Sequence, residues 1–206
     1  MISIAEWNVE INALFESTRD YCEGYLCDGA ADFSVKVSAE DIDLERKKSE
    51  REDILEGIPV RKFSDEYLET LAVYRKLCRE LLNRDTLLFH GSVIAVDGVG
   101  YLFTAKSGTG KSTHTRLWRQ LLGDRAVMVN DDKPFLKITD DGVLACGAPW
   151  SGKHGLDSNI TVPLQGICIL HRGSENTIRP ISREEALPML QKQSVPPTDP
   201  KNQTLY

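Results

Sequence analysis

Gly100-Tyr101-Leu102-Phe103-Thr104-Ala105-Lys106-Ser107-Gly108-Thr109-Gly110-Lys111-Ser112-Thr113 is the stretch on which the reading of this chain turns. Its first five residues are apolar or alternating and predict a strand. The next run is small and polar, and an amphipathic helix follows to about Leu122, with Gly123 placed to stop it. A loop of this composition lets consecutive backbone N–H groups point at one anion while the helix behind it adds its positive end. The strict phosphate-loop pattern begins with Gly. Here that position is Ala105, one methyl larger, while Gly108, Gly110, Lys111 and Ser112 are all in register. In an isolated turn the same glycines would serve turn geometry alone; a strand before and a helix after favour the phosphate reading.

The flanks extend this picture. Leu87 to Val96 and Gly100 to Thr104 enclose Asp97-Gly98, a dipeptide suited to a two-residue hairpin, so the loop is entered from an antiparallel pair. His90 falls on the first strand of that pair, 21 residues before Lys111. Beyond the helix, Ala126 to Asn130 is a short apolar strand that delivers Asp131-Asp132, 20 residues after Lys111. Alone, such a pair reads as a solvated turn. At the end of a buried strand beside a phosphate cradle it reads as metal and base chemistry. The expected ligands are therefore ATP and Mg²⁺. Ser107, Gly108, Thr109, Gly110, Lys111, Ser112 and Thr113 would hold the phosphates, with Lys111 neutralising the β and γ groups. The Ser112 hydroxyl would hold the hard, oxygen-seeking cation, and Asp131 and Asp132 would divide two tasks, one carboxylate held ionised by the metal and the other accepting a proton from an attacking hydroxyl.

A second segment, Gly147-Ala148-Pro149-Trp150-Ser151-Gly152-Lys153-His154-Gly155, has the composition of a loop that could fold Lys153 over phosphates and Trp150 onto a base. It reads equally well as a surface turn with Trp150 packed inward. Arg116, Arg119 and Arg125 read as solvated, and His114, His171 and Arg179 have no legible partner.

His90-Gly91, the hairpin, Ser107 to Ser112 and Val129-Asn130-Asp131-Asp132 together resemble the catalytic domain of HPr kinase/phosphorylase over about residues 86 to 170. Residues 107 to 113 are equally similar to the phosphate loop of the ATP-dependent phosphoenolpyruvate carboxykinases, which share that domain's fold. The resemblance implies that His90 and Lys111 line the phosphate site, that Ser112 binds Mg²⁺, and that Asp132 is base in phosphorylation and acid in the reverse reaction, with Asp131 beside it. It also implies an α/β fold in which a mixed, largely antiparallel sheet wraps around the phosphate-loop helix. The chain departs from the pattern in two places. The family's later glutamate segment, a second Mg²⁺ contact, is replaced by Gly147 to Gly155, and the kinase's C-terminal signature has no counterpart. Nothing matches the carboxykinase's metal-binding His and Lys or its oxaloacetate-binding Arg. The acceptor expected here is accordingly an unidentified Ser/Thr or small-molecule hydroxyl rather than HPr.

The remaining sequence sets the frame. Residues 1–84 predict an α+β section, 85–193 the nucleotide-binding domain and 194–206 a Pro-rich tail. Short alternating runs end at about Leu14 and recur at Phe33 to Val37. Ser38 to Asp53 is charged with mixed signs, a solvated helix face or a connector. Ser64 caps a long amphipathic helix to about Asn83. Further strands are expected at Phe135 to Ile138, Val143 to Cys146, Gly166 to Leu170 and Ile178 to Ile181, then a helix from Arg183 to about Gln193. With 206 residues, 41% hydrophobic and 27% charged, the chain can bury one real core. Its net charge of −6 disfavours a general nucleic-acid binder. No apolar run approaches the roughly 18 residues of a membrane span, and no basic flank precedes an apolar start, so the expected location is cytoplasmic, away from membranes. Five cysteines without a Cys-x-x-Cys pair read as free thiols, and an oligomer is left open. Two functions compete: a phosphotransferase, and a nucleotide-binding sensor or partner protein without turnover. A generic phosphate-loop NTPase is weaker, because its metal-binding strand usually lies further along the chain.

Overall fold

The Asp97-Gly98 turn organises the sheet. Strands β5 (Ser92–Val96) and β6 (Val99–Thr104) pair antiparallel with Val96 opposite Val99. Asp97 and Gly98 have φ of 50° and 83°, the left-handed conformations that match a two-residue loop to strand twist. Arg125 braces the turn, its Nε 3.0 Å from Asp97 Oδ1 and its carbonyl accepting from the Asp97 N–H at 3.1 Å. The computed structural model describes residues 1–194, so the proline-rich run expected from Val195 onward lies outside the described residues. The described residues fall into two units, one over residues 1–80 and the other beginning at residue 81.

The second unit is a mixed α/β structure. Five further strands complete its sheet: β4 (Thr86–Leu88), β7 (Ala126–Asn130), β8 (Phe135–Thr139), β9 (Gly142–Cys146) and β10 (Thr161–Ile169). Their order is β4-β8-β9-β10-β6-β5-β7. Every neighbouring pair is antiparallel except β6 and β10, which run parallel. β10 changes partner along its length. Thr161 to Pro163 pair with β9, and after a register break between Leu164 and Gly166 the strand continues beside β6.

The period-two alternation of the strands sorts their residues into two cores. Val93, Ala95, Leu102 and Val129 belong to one, with Phe89, Leu136, Ala145 and Val162. Their neighbours Ile94, Phe103 and Met128 belong to the other. Helix α4 (Lys111–Leu122) packs on that second core through Trp118 and Leu122. The Trp118 ring meets Phe103 edge-on at 5.1 Å. Burying each such large apolar side chain is worth about 1.5–3 kcal/mol. The sheet and its helix, rather than the loop between them, therefore hold the site in place.

Three expectations are corrected. Leu87 to Val96 is not one strand: β4 pairs with β8, β5 pairs with β6 and β7, and His90-Gly91 forms the junction. A Cβ at Gly91 would lie 3.0 Å from Leu102 and 3.2 Å from the Phe103 carbonyl, so the chain crosses too close to β6 for a side chain. The strand expected at Gly166 starts at Thr161, and Ile178 to Ile181 is irregular, with Ile178 89% exposed. The last helix, α5 (Arg183–Gln191), is capped by Ser182 Oγ, which accepts from Glu185 N at 3.2 Å.

The first unit holds a three-stranded sheet of β1 (Ile2–Ile4), β2 (Trp7–Asn12) and β3 (Phe33–Lys36) in that order. A short helix, α1 (Ser17–Tyr21), lies between β2 and β3. Two long helices follow, α2 (Ala39–Glu56) and α3 (Asp65–Leu82). The charged run is thus a helix, not a connector. Its Glu45 is buried and takes Arg75 of α3, while Asp41 takes Lys76 Nζ at 2.7 Å. Glu69 is fully buried and accepts from Leu14 N, from Phe15 N at 3.1 Å and from Thr18 Oγ1 at 2.6 Å, securing the turn into α1.

Candidate active site

The loop between β6 and α4 has the conformation its glycines allow. Gly108 and Gly110 sit at φ of 76° and 123°, where any L side chain would be strained. Gly110 is the N-cap of α4 and offers no side-chain acceptor, so the first-turn N–H groups are left for an anion. Thr109 Oγ1 closes the loop onto the Lys106 carbonyl at 2.7 Å. Thr115, one turn into the helix, is buried and meets Ser92 Oγ at 3.3 Å, which pins α4 to β5. Lys111 is 9% exposed, and its Nζ donates to the Ala105 carbonyl at 3.3 Å. Burial lowers the pKa of this ammonium; the Asp132 carboxylate opposes that shift without cancelling it.

Because β10 runs parallel to β6, the two strands end side by side. Arg172, just past β10, donates from Nη2 to the Gly108 carbonyl at 2.6 Å. Sequence reasoning missed it, since a parallel neighbour 64 residues away leaves no local signal.

The Asp pair lies where β7 ends. Asn130, fully buried, organises it: Oδ1 accepts from the Asp132 N–H at 2.9 Å and the Lys133 N–H at 2.6 Å, and Nδ2 donates to the carbonyls of Ala148 at 2.8 Å and Trp150 at 3.3 Å. One amide thereby fixes both the Asp turn and the 147–155 loop. Replacing Asn130 with Ala is expected to cost about 2–4 kcal/mol, because four partners lose their bonds in a dry site, and chemical denaturation reads the loss. The motif around Asn130 was legible in the sequence; its role was not.

The two carboxylates differ. Asp131 is buried: Oδ1 accepts from Gly152 N, and Oδ2 has no hydrogen-bond partner. Burial raises its pKa above the usual carboxylate value, and the neighbouring Asp132 charge adds to the rise. Asp132 Oδ1 is 3.3 Å from His90 Nε2. That hydrogen bond leads the causes that lower its pKa, with burial opposing and Lys133 and Lys111 assisting. His90 is held from behind by Gln193, whose Oε1 is 2.8 Å from Nδ1 and whose carbonyl accepts from the His90 N–H at 2.7 Å. His90, Lys111 and the consecutive Asp131 and Asp132 are thus gathered from three points of the chain at one end of the sheet.

The 147–158 segment crosses this end. Trp150 is 3% exposed, which settles its alternatives in favour of inward packing. Lys153 lies in an exposed turn closed by the Gly155 N–H on the Gly152 carbonyl at 2.9 Å, while the adjacent His154 lines the cleft described below. Gly147 is held between strands. A Cβ there would fall 1.8 Å from the Ser158 carbonyl oxygen and 3.0 Å from that of Val129. Gly147→Ala is expected to destabilise the protein by about 1–3 kcal/mol or more and to displace this segment, with thermal melting as the check.

Beside the loop opens a cleft of about 370 Å³ lined by Ser112, Arg116, Arg119, Asp131 and His154, with Met128 and Leu156 as its apolar floor. The donor set suits Mg²⁺. Ser112 and Asp131 offer hard oxygen ligands on one cleft, and the unpartnered Asp131 Oδ2 is an atom a cation would satisfy. Among the described residues there is no group of three or more His, Cys, Asp or Glu that could hold a metal ion. Other expected groups find structural partners. Arg125 pairs with Asp97, Arg179 with Glu185, and the His114 ring lies 4.4 Å from Phe103. All five cysteines are free. No helix among the described residues is long and apolar enough to cross a membrane.

The chain belongs to the family described as SynChlorMet cassette protein ScmC, whose model matches residues 60–198. No curated protein matches the sequence.

Proposed function

We propose that the chain, as a member of that family, binds ATP with Mg²⁺ and passes the γ-phosphoryl group to a hydroxyl acceptor. The observation that carries this reading is the division between two consecutive carboxylates beside a phosphate loop. Asp131 is buried with an oxygen left over for a cation, and Asp132 is kept ionised by His90. Ser112 and Asp131 hold the metal, which when bound neutralises charge on the β and γ phosphates. Lys111 and the first-turn amides of α4 cradle those phosphates, and Lys111 moves from the Ala105 carbonyl to the anion. Asp132 orients the acceptor hydroxyl and takes its proton. A carboxylate held low is a weak base, and that suffices where the transition state is loose and little bond formation precedes phosphoryl departure.

The fold belongs to the same proposal. A mixed sheet, one phosphate-loop helix on its face, and a His on the strand junction opposite the Asp pair support a phosphoenolpyruvate carboxykinase-like nucleotide-binding domain of the HPr kinase type. The test is ADP formation from ATP, assayed with and without Mg²⁺ on wild type and Asp132→Ala. Metal-dependent ADP formation that needs Asp132 supports the phosphotransferase. Nucleotide binding with the same residual ADP formation in both proteins would replace it with a nucleotide-binding sensor.

A further inference from the structure

The cleft beside the phosphate loop carries a chemistry that phosphate binding does not use. Arg116 and Arg119 lie one turn apart on α4 and line it, and neither guanidinium makes a salt bridge or hydrogen bond among the described residues. Elsewhere Arg61, Arg75, Arg125 and Arg179 each hold a carboxylate, and Arg116 and Arg119 are set apart by opening together on one cleft. In a protein of net charge −6, two adjacent unpaired guanidiniums over an apolar floor are a recognition feature. The same cleft is lined by Asp131, buried, with Oδ2 unpartnered. At about 370 Å³ the space suits a small molecule.

We infer that this cleft seats the phosphoryl acceptor, a small hydroxyl compound bearing a carboxylate or phosphate group that Arg116 and Arg119 hold. The inference rests on the phosphotransferase reading of the neighbouring loop. The anion sits on the two guanidiniums, the acceptor's carbon skeleton lies on Met128 and Leu156, and its hydroxyl points toward the Asp pair. In the transfer, the hydroxyl oxygen forms a bond to the γ-phosphorus of ATP. The bond from that phosphorus to the β-γ bridging oxygen breaks, ADP leaves, and the hydroxyl proton passes to Asp132 and then to water. The product is a phosphomonoester that carries the original anion. A nucleoside in the same cleft is the competing occupant; it would give the two guanidiniums no charge to meet, because the phosphates are served by the loop, Lys111 and Mg²⁺.

The experiment titrates glycerol, glycerate and glycerol 3-phosphate, three-carbon alcohols that differ in charge, into protein saturated with Mg²⁺ and a non-hydrolysable ATP analogue. Binding is followed by amide chemical shifts on wild type, Arg116→Gln/Arg119→Gln and Lys111→Ala. The expected result is that one or both anionic probes bind and glycerol does not, and that the double variant weakens the anion by about tenfold or more while keeping the affinity for the ATP analogue. Comparing glycerate with glycerol 3-phosphate tells carboxylate from phosphate. The inference is overturned if glycerol binds as well as the anions, if no anion shifts the cleft amides, if the double variant binds the anions like wild type, or if it loses the ATP analogue instead. The last outcome would assign the cleft to the nucleoside. Should wild type not bind the ATP analogue, the phosphotransferase reading fails by itself. The anion titration on nucleotide-free wild type and double variant then still decides whether the two guanidiniums form a site, and Lys111→Ala excludes the phosphate loop as its source.

Discussion

Lys111→Ala is expected to slow phosphoryl transfer severely and to weaken binding of Mg²⁺-ATP. Lys111 is the cation most deeply set in the phosphate loop, 9% exposed, with a single hydrogen bond to the Ala105 carbonyl. Its burial already costs something, as its lowered pKa shows, and a triphosphate repays that cost by supplying the missing counter-charge. Removing the ammonium takes away the protein's own positive charge at the phosphates and leaves the metal to act alone, so turnover should fall by about 100- to 1,000-fold. The fold should survive, because the alanine side chain fits the helix and α4 remains pinned by Thr115 and Trp118. Turnover by a coupled ADP assay, with a melting curve on the same sample, measures both.

Asp132→Asn is expected to lower turnover by about 100- to 10,000-fold while nucleotide affinity stays near that of wild type. The amide keeps the size of the side chain but cannot take a proton. Its pH behaviour follows from the direction of the shift. His90 and the nearby lysines hold the Asp132 carboxyl below the unfolded carboxylate value of about 3.9, so in the folded protein it stays ionised to lower pH than usual. The acid limb of the rate profile contributed by this base should therefore lie below the ordinary carboxylate range. The stability contribution has the same sign. It is present above the unfolded pKa and is lost as pH falls through the lower folded one, so the stability gap between wild type and Asp132→Asn should close on acidification. A rate profile unaffected by the substitution would remove Asp132 from the chemistry.

The elements legible in the sequence were those set by local rules. Asp97-Gly98 announced its hairpin because few residues other than Gly, Asn and Asp tolerate positive φ at both turn positions. Gly123 ended α4, and Ser64 preceded α3, for similarly local reasons. What sequence reading lacked was long-range pairing. Nothing near Phe89 says that the chain breaks at Gly91, since the cause is the close passage of Leu102 and Phe103. Nothing near Thr161 says that β10 will serve β9 first and β6 afterwards. The candidate site divides along the same line. Lys111, Ser112, Asp131 and Asp132 were legible as candidates because their residue types and spacing are themselves the signal, and His90 entered through the family resemblance. Gln193, Arg172 and the Nδ2 half of Asn130's role were not, because each acts on a partner 18 to 103 residues away. Arg116 and Arg119 read as solvated along the helix and gained meaning only when the cleft appeared beside them.

The central claim, that the loop at residues 105–113 is a working Mg²⁺-nucleotide site, is tested most directly by calorimetric titration of ATP into the wild-type protein, once with Mg²⁺ and once with EDTA. Saturable binding of one ATP per chain that weakens when the metal is removed is the result predicted here. An absence of binding heat together with an unchanged melting temperature at saturating Mg²⁺-ATP would contradict it.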